Sequence, residues 1–157
     1  RDEAGRLADR LAARLAAARA AAARLAARPR IFFEEWDEPS ISAIRWVSEL
    51  IDIAGGTDVF ADLSRAGGAK GRIVSGGDVI AQAPDIVIGS WCGKKFRPER
   101  VAAHPGWSAI PAVRAGELHE VKSPVILQPG PAALTDGVDA LHAIFARWAG
   151  ARHGACA

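Results

Sequence analysis

The sequence predicts an α/β fold, with a long amino-terminal helix followed by one Rossmann-like lobe built on a mostly parallel, open sheet. Three observations carry that expectation. Residues 2–28 are almost wholly Ala, Leu and Arg, the composition that favours helix most strongly. Beyond Pro29, short apolar runs such as Ile31-Phe32-Phe33 and Ile86-Val87-Ile88 alternate with segments whose apolar residues recur at helical spacing. Continuous apolar runs joined through helices and short linkers belong to strands covered on both faces, which is the signature of a parallel sheet.

In the first helix, Leu7, Leu11 and Leu15 recur every four residues, and Ala18, Ala22 and Leu25 continue one narrow apolar stripe beside Arg6, Arg10 and Arg14. Pro29 ends it, and at 1.5 Å per residue it would span roughly 40 Å, long enough to bridge two lobes. The strand at Ile31 runs into Glu34-Glu35-Trp36-Asp37-Glu38. Pro39 is expected to open a helix with Ile41, Ile44, Val47, Ile51 and Ala54 inward, closed by Gly55-Gly56. Residues 57–71 read as loop, Ile73-Val74 as a short strand and residues 77–83 as a short helix. Ile86-Val87-Ile88 is the best buried strand and breaks off at Gly89. A helix follows Pro98 towards His104, and Leu118–Val121 alternates like a strand. Residues 123–131 fit either a short strand or a rigid apolar loop. The last helix, residues 132–149, turns Leu134, Val138, Leu141, Ile144, Phe145 and Trp148 inward. The expected organisation is therefore a connecting helix over 1–28, a lobe over 30–149 and a disordered tail over 150–157.

Composition narrows the function classes. A chain of 157 residues, half of them hydrophobic, has room for one core. Residues 1–30 hold eight arginines against Asp2, Glu3 and Asp9, whereas the whole chain carries only +2, so the lobe itself is mildly acidic. No basic groove with interleaved aromatics points to nucleic acid. Arginine interrupts every long Ala/Leu run before it reaches the twenty or so apolar residues of a membrane span. Cys92 and Cys156 make no metal-type spacing. Beginning in mid-helix at Arg1, the sequence reads as a segment of a longer protein.

Ligands of open parallel sheets sit beyond the carboxyl ends of the strands. Two segments reach that edge, Glu35–Glu38 and Ser90–Phe96, each with one Trp surrounded by charge. Trp36 and Trp91 either pack onto neighbouring loops or offer flat faces to a flat organic ligand. Asp37 and Glu38 beside Pro39 also suit a helix amino terminus, and no His lies near enough to suggest a metal site. The run Gly89-Ser90-Trp91-Cys92-Gly93-Lys94-Lys95 fails as a phosphate loop, because three residues rather than four separate its glycines and Lys95 stands where Ser or Thr should bind magnesium. Cys92 beside two lysines leaves open a small thiol enzyme with His104 or His119 as partner.

Four stretches resemble the cobalamin-binding, periplasmic-type substrate-binding proteins of ABC transporters: residues 33–39 (Phe-Glu-Glu-Trp-Asp-Glu-Pro), 45–50 (Arg-Trp-Val-Ser-Glu-Leu), 83–95 (from Ala83-Pro84-Asp85 to Lys94-Lys95) and 128–132 (Gln-Pro-Gly-Pro-Ala). The resemblance covers about residues 30–149. It implies two Rossmann-like lobes joined by one rigid helix, with the corrinoid in the cleft between them. This chain would be the helix and the carboxy-terminal lobe, without the amino-terminal lobe, and would act by binding rather than catalysis, outside the cytoplasm in the periplasm or anchored to a membrane. Glu35, Trp36, Asp37, Trp91, Lys94 and Gln128 are then the expected ligand-binding residues, with no metal and no further cofactor. Iron–siderophore and haem carriers share this architecture and remain alternatives. The resemblance also implies a carboxylate that docks on the permease after Ser75, where Gly77 now stands and Asp78 is the nearest acid.

Overall fold

The computed structural model describes residues 2–155. Asp2 caps the first helix, α1 (Glu3–Ala22), by accepting from the Gly5 N–H at 2.8 Å. This helix stops six residues short of its expected end. Arg24 and Leu25 close tighter i→i−3 turns on Ala21 and Ala22, so that Leu25 folds onto Gly55. A Cβ at Gly55 would stand 2.5 Å from Leu25 Cδ1, and its φ of 106° is the left-handed cap of the next helix. Packing thus overrides the helix propensity of Ala23–Ala27. The stripe is real: Leu15, Ala18 and Leu25 pack on the lobe, whereas Leu7 in the second turn of the helix stays 37% exposed.

One five-stranded sheet carries the lobe. Strands β1 (Arg30–Asp37), β4 (Ile86–Gly89) and β5 (Leu118–Glu120) lie side by side and parallel. The short β3 (Thr57–Asp58) pairs parallel to the start of β1, while β2 (Ser40–Ser42) pairs antiparallel to its end. Pro39 therefore opens no helix. The chain turns back after Glu38, β2 lies along β1 with a bulge between Glu34 and Trp36, and the helix α2 begins only at Arg45. The polar–apolar–polar alternation of Ser40-Ile41-Ser42 fits an edge strand, with the Ser40 hydroxyl donating to the Glu34 carboxylate at 2.8 Å.

Alternation along β1 divides the core. Ile31 and Phe33, with Ile86 and Ile88, face α1, α2 (Arg45–Ala54) and the terminal helix. Phe32 and Val87 face the opposite layer, where α3 (Gly76–Gln82), α4 (Pro98–Ala102) and α5 (Pro111–Ala115) supply Val79, Val101 and Ala112. Residues 57–71, expected as loop, hold β3 and two short 3-10 turns, and α5 was not foreseen because five residues show too little periodicity. Ser123–Ile126 is a single helical turn, α6, rather than strand or extended loop. A π-turn (Ala133–Gly137) leads into α7 (Val138–Ala155), which buries Val138, Leu141, Ile144, Phe145 and Trp148. The tail expected to be disordered from residue 150 is helical through Ala155, with Arg152 and His153 in the last turn, where the helix dipole favours them, and the Arg152 guanidinium 4.8 Å from the Trp148 ring. No helix among the described residues is long and apolar enough to cross a membrane.

Candidate functional site

At the carboxyl edge of the sheet, the ends of β1, β4 and β5 present Glu34–Glu38, Ser90–Phe96 and Glu120–Lys122. Between the last two lies an open cleft of about 420 Å³, lined by Ser90, Trp91, Lys94, Lys95, Glu120 and Lys122 among others. Of the six ligand residues expected from the sequence, Trp91 and Lys94 line this cleft.

Trp91 does not offer the open face expected of it. The ring is 4% exposed, stands edge-on to Phe96 with centroids 5.0 Å apart, and donates through Nε1 to Glu34 Oε2 at 3.0 Å. Gly89 makes this possible, since a Cβ there would lie 2.0 Å from Phe96 Cδ2. Phe96 therefore packs flat on the strand end and the loop folds back over Trp91. Glu34, which sequence reasoning passed over for its neighbour, is fully buried between Ser40 and Trp91. Burial raises its carboxyl above the ordinary value, and Asp37 adds to the rise. The two hydrogen bonds and Lys94 oppose it only in part.

Trp36 is half-buried, with Nε1 donating to the Glu38 carbonyl at 2.9 Å, and the Lys94 ammonium sits 4.4 Å from its ring centroid. The Lys94 ammonium also pairs with the buried Asp37 carboxylate, which Arg100 approaches from the other side at 3.5 Å. Asp37 and Lys94 thus spend their charges on each other. Asp37 does not cap a helix, because no helix follows it.

Glu35 points away from the cleft. Its carboxylate holds the buried Arg72 guanidinium at 2.8 and 3.3 Å and accepts from the Ile44 N–H at the start of α2. Arg72 also donates to the Ser42 carbonyl. Glu35 therefore fastens β2 and α2 to the sheet. Gln128 is exposed in the turn after α6, outside the cleft lining.

Reasoning from sequence placed Ser90 and Lys95 in the edge segment without singling them out as ligand residues, and missed Glu120 and Lys122. Glu120 accepts from the Phe96 N–H at 2.9 Å and pairs with Lys122 at 3.0 Å. Its slight burial would raise its pKa, but Lys122, the Phe96 N–H and Lys95 outweigh that and leave it lowered. Ser90 is buried and its hydroxyl has no hydrogen-bond partner among the described residues. The signal that marks these residues is position alone, immediately past the ends of β4 and β5.

Cys92 is exposed and free, while Cys156 lies outside the described residues. His119 is bonded to Glu117 at 2.6 Å and His104 rests on Trp107, and neither contact involves Cys92. Among the described residues, no cluster of His, Cys, Asp or Glu is placed to hold a metal. Asp78 is exposed at the start of α3 and completes a capping box: its Oδ2 accepts from the Ser75 N–H at 2.8 Å and its own N–H donates to Ser75 Oγ at 3.1 Å.

Comparison with known proteins agrees with this architecture. A periplasmic binding protein from Veillonella parvula is 25% identical, covers 90% of this chain against 49% of its own, and superposes with a TM-score of 0.71. The periplasmic heme-binding protein RhuT from Roseiflexus sp. RS-1 is 28% identical over 89% of this chain and 56% of its own, with a TM-score of 0.69. The periplasmic vitamin B12 binding protein BtuF of Vibrio cholerae is 22% identical over 86% and 50%, with a TM-score of 0.64, a likeness of fold. The chain thus spans about half the length of these structures. A search of curated proteins returned no significant match. The profile described as "Periplasmic binding protein" matches residues 1–125, and the chain belongs to that family of binding proteins.

Proposed function

We propose that the chain is the carboxy-terminal ligand-binding lobe, with its connecting helix, of the substrate-binding component of an ABC transporter, and that its ligand is a corrinoid, cobalamin. The observation that carries this reading is the open cleft at the carboxyl edge, lined by Lys94 and Trp91, with Trp36 next to it against the Lys94 ammonium. One lobe covers one side of a flat macrocycle; an amino-terminal lobe carried on α1, whose Leu7 is left exposed, would cover the other. The permease is the partner, the place of action lies outside the cytoplasm, and Asp78 is the candidate docking carboxylate. Haem is the second reading. The 28% identity to a heme-binding protein and the lysines of the cleft favour it.

Tryptophan quenching and calorimetry with cyanocobalamin, haemin and a ferric hydroxamate test the choice. A whole two-lobe protein binding at nanomolar strength gains about 12 kcal/mol, and losing one lobe's contacts leaves micromolar to millimolar binding for this chain. Trp36→Ala should weaken cyanocobalamin at least tenfold, since covering a ring face of roughly 100 Å² is worth about 2–3 kcal/mol before ordering costs. Its melting temperature should fall modestly, since Trp36 is half-buried and bonded to the Glu38 carbonyl, so binding is compared well below the melt. Nanomolar binding by this chain alone contradicts the half-site reading, and equal binding by the variant and the parent removes Trp36 from the site.

A further inference from the structure

We infer that the cleft between the β4 and β5 loops is a subsite for a carboxylate arm of the ligand, held by Lys95 and Ser90. This rests on the proposed ligand-binding role and adds the chemistry of what binds: within that role it favours an acid corrinoid, haem or a carboxylate chelate over cobalamin, whose propionate arms are amides. Three lysines line the cleft against one glutamate. Lys94 is spent on Asp37. Glu120 is spent on Lys122 and the Phe96 N–H, and its charge is already well satisfied. Lys95 forms no salt bridge among the described residues, although it stands close enough to Glu120 to favour its ionised form. The cleft therefore holds positive charge that no described residue pairs with in a salt bridge.

Ser90 supplies the second, independent observation. Its hydroxyl is buried at the wall of this cleft with no hydrogen-bond partner among the described residues, a state that proteins rarely tolerate without a ligand or water to complete it. In a field set by ammonium groups, the hydroxyl dipole turns its hydrogen outward and donates to an acceptor oxygen. An amide arm can turn its carbonyl oxygen towards an ammonium, but it brings no charge to neutralise Lys95. A carboxylate offers only acceptors and a full negative charge. Two sources share this chemistry: the acid side chain of a tetrapyrrole or corrinoid, and a carboxylate iron chelate.

The test compares cyanocobalamin with its monocarboxylic derivatives, in which one propionamide is hydrolysed to propionate, and with ferric citrate, all against this chain. The acid should bind at least fivefold more tightly than the amide at low ionic strength, with the advantage shrinking several-fold in 0.5 M salt. Lys95→Gln and Ser90→Ala should each cut that advantage at least threefold, whereas Arg97→Gln, outside the cleft, should keep it. Ferric citrate binding that falls with Lys95→Gln while no corrinoid binds would uphold the subsite and assign it to a chelate. Equal affinity for acid and amide overturns the carboxylate subsite and leaves the corrinoid reading standing. Binding of none of the three overturns both.

Discussion

Glu34 holds a carboxylate where no water reaches it, so its substitutions separate hydrogen bonding from charge. Alanine at this position strands the Ser40 hydroxyl and Trp91 Nε1, both of which now donate to it. Each stranded group costs about 1–3 kcal/mol, so the pair costs about 2–6. At about 2–4 °C per kcal/mol for a chain of this size, Glu34→Ala should melt roughly 5–20 °C lower. Glutamine behaves differently. Its carbonyl accepts from Trp91, its amide donates to the Ser40 oxygen, and no charge is buried. Because burial raises the Glu34 pKa, the folded state binds its proton more readily than the unfolded chain does. The stability this confers is present below the ordinary value of 4.5 and is lost as pH rises through the raised folded value. Glu34→Gln should thus match the parent at pH 4 and exceed it at pH 7.5. Asp58, also raised by burial, titrates in both proteins and cancels in the difference. Thermal melts of parent, Gln and Ala across pH 4–8 measure this. A glutamine variant as unstable as alanine at pH 7.5, or a difference between parent and glutamine that does not change with pH, refutes the reasoning.

Arg72→Met removes the buried cation that joins Glu35 to the Ser42 carbonyl, and breaking one side of a buried pair costs about 3–5 kcal/mol; calorimetry should show the melting temperature falling by about 6–20 °C. The double variant Arg72→Met/Glu35→Leu should recover part of that loss, and failure to recover any would mean that Glu35 is not the partner that matters. Asp78, its pKa lowered chiefly by the Ser75 N–H and further by the Ser75 side chain, lends α3 a stability that is present above the ordinary value of 3.8 and lost as pH falls through the lower folded value. Asp78→Asn should lessen that acid sensitivity, read from melts between pH 2 and 5. In a full-length protein, permease affinity measured at low and high salt should drop for Asp78→Asn at low salt alone, and no change at either removes Asp78 from the docking surface.

Much of the frame was legible because it rests on patterns that need no tertiary knowledge. The apolar runs at Ile31 and Ile86 are strands, the Leu/Ala stripe packs, and α7 turns inward the residues its period names. What failed was local and had tertiary causes. Nothing at Pro39 announced a return strand, because Ser-Ile-Ser is too short for its alternation to outweigh a helical reading of the residues that follow. Nothing in the Ala-rich stretch before Pro29 announced that Leu25 would be drawn onto Gly55. The turns α5 and α6, five and four residues long, fall below the length at which period can be read.

The site was legible as an edge but not as a set of side chains, and strand alternation explains the difference. The period of two that sends Phe32 to one layer and Phe33 to the other also sends Glu34 towards Trp91 and Glu35 towards α2. Read with that period, the acidic run is not one cluster facing a ligand. It is two carboxylates with opposite duties, one buried under the cleft and one fastening β2 and α2. Asp37, past the bulge between Glu34 and Trp36, returns to the cleft side and meets Lys94. A charge-rich loop beyond a parallel sheet is thus sorted by the strand beneath it. Among the described residues, the hydroxyl of Ser90 and the ammonium of Lys95 at this edge are left without a hydrogen-bond or salt-bridge partner by the strands, and these are the groups the proposed subsite uses.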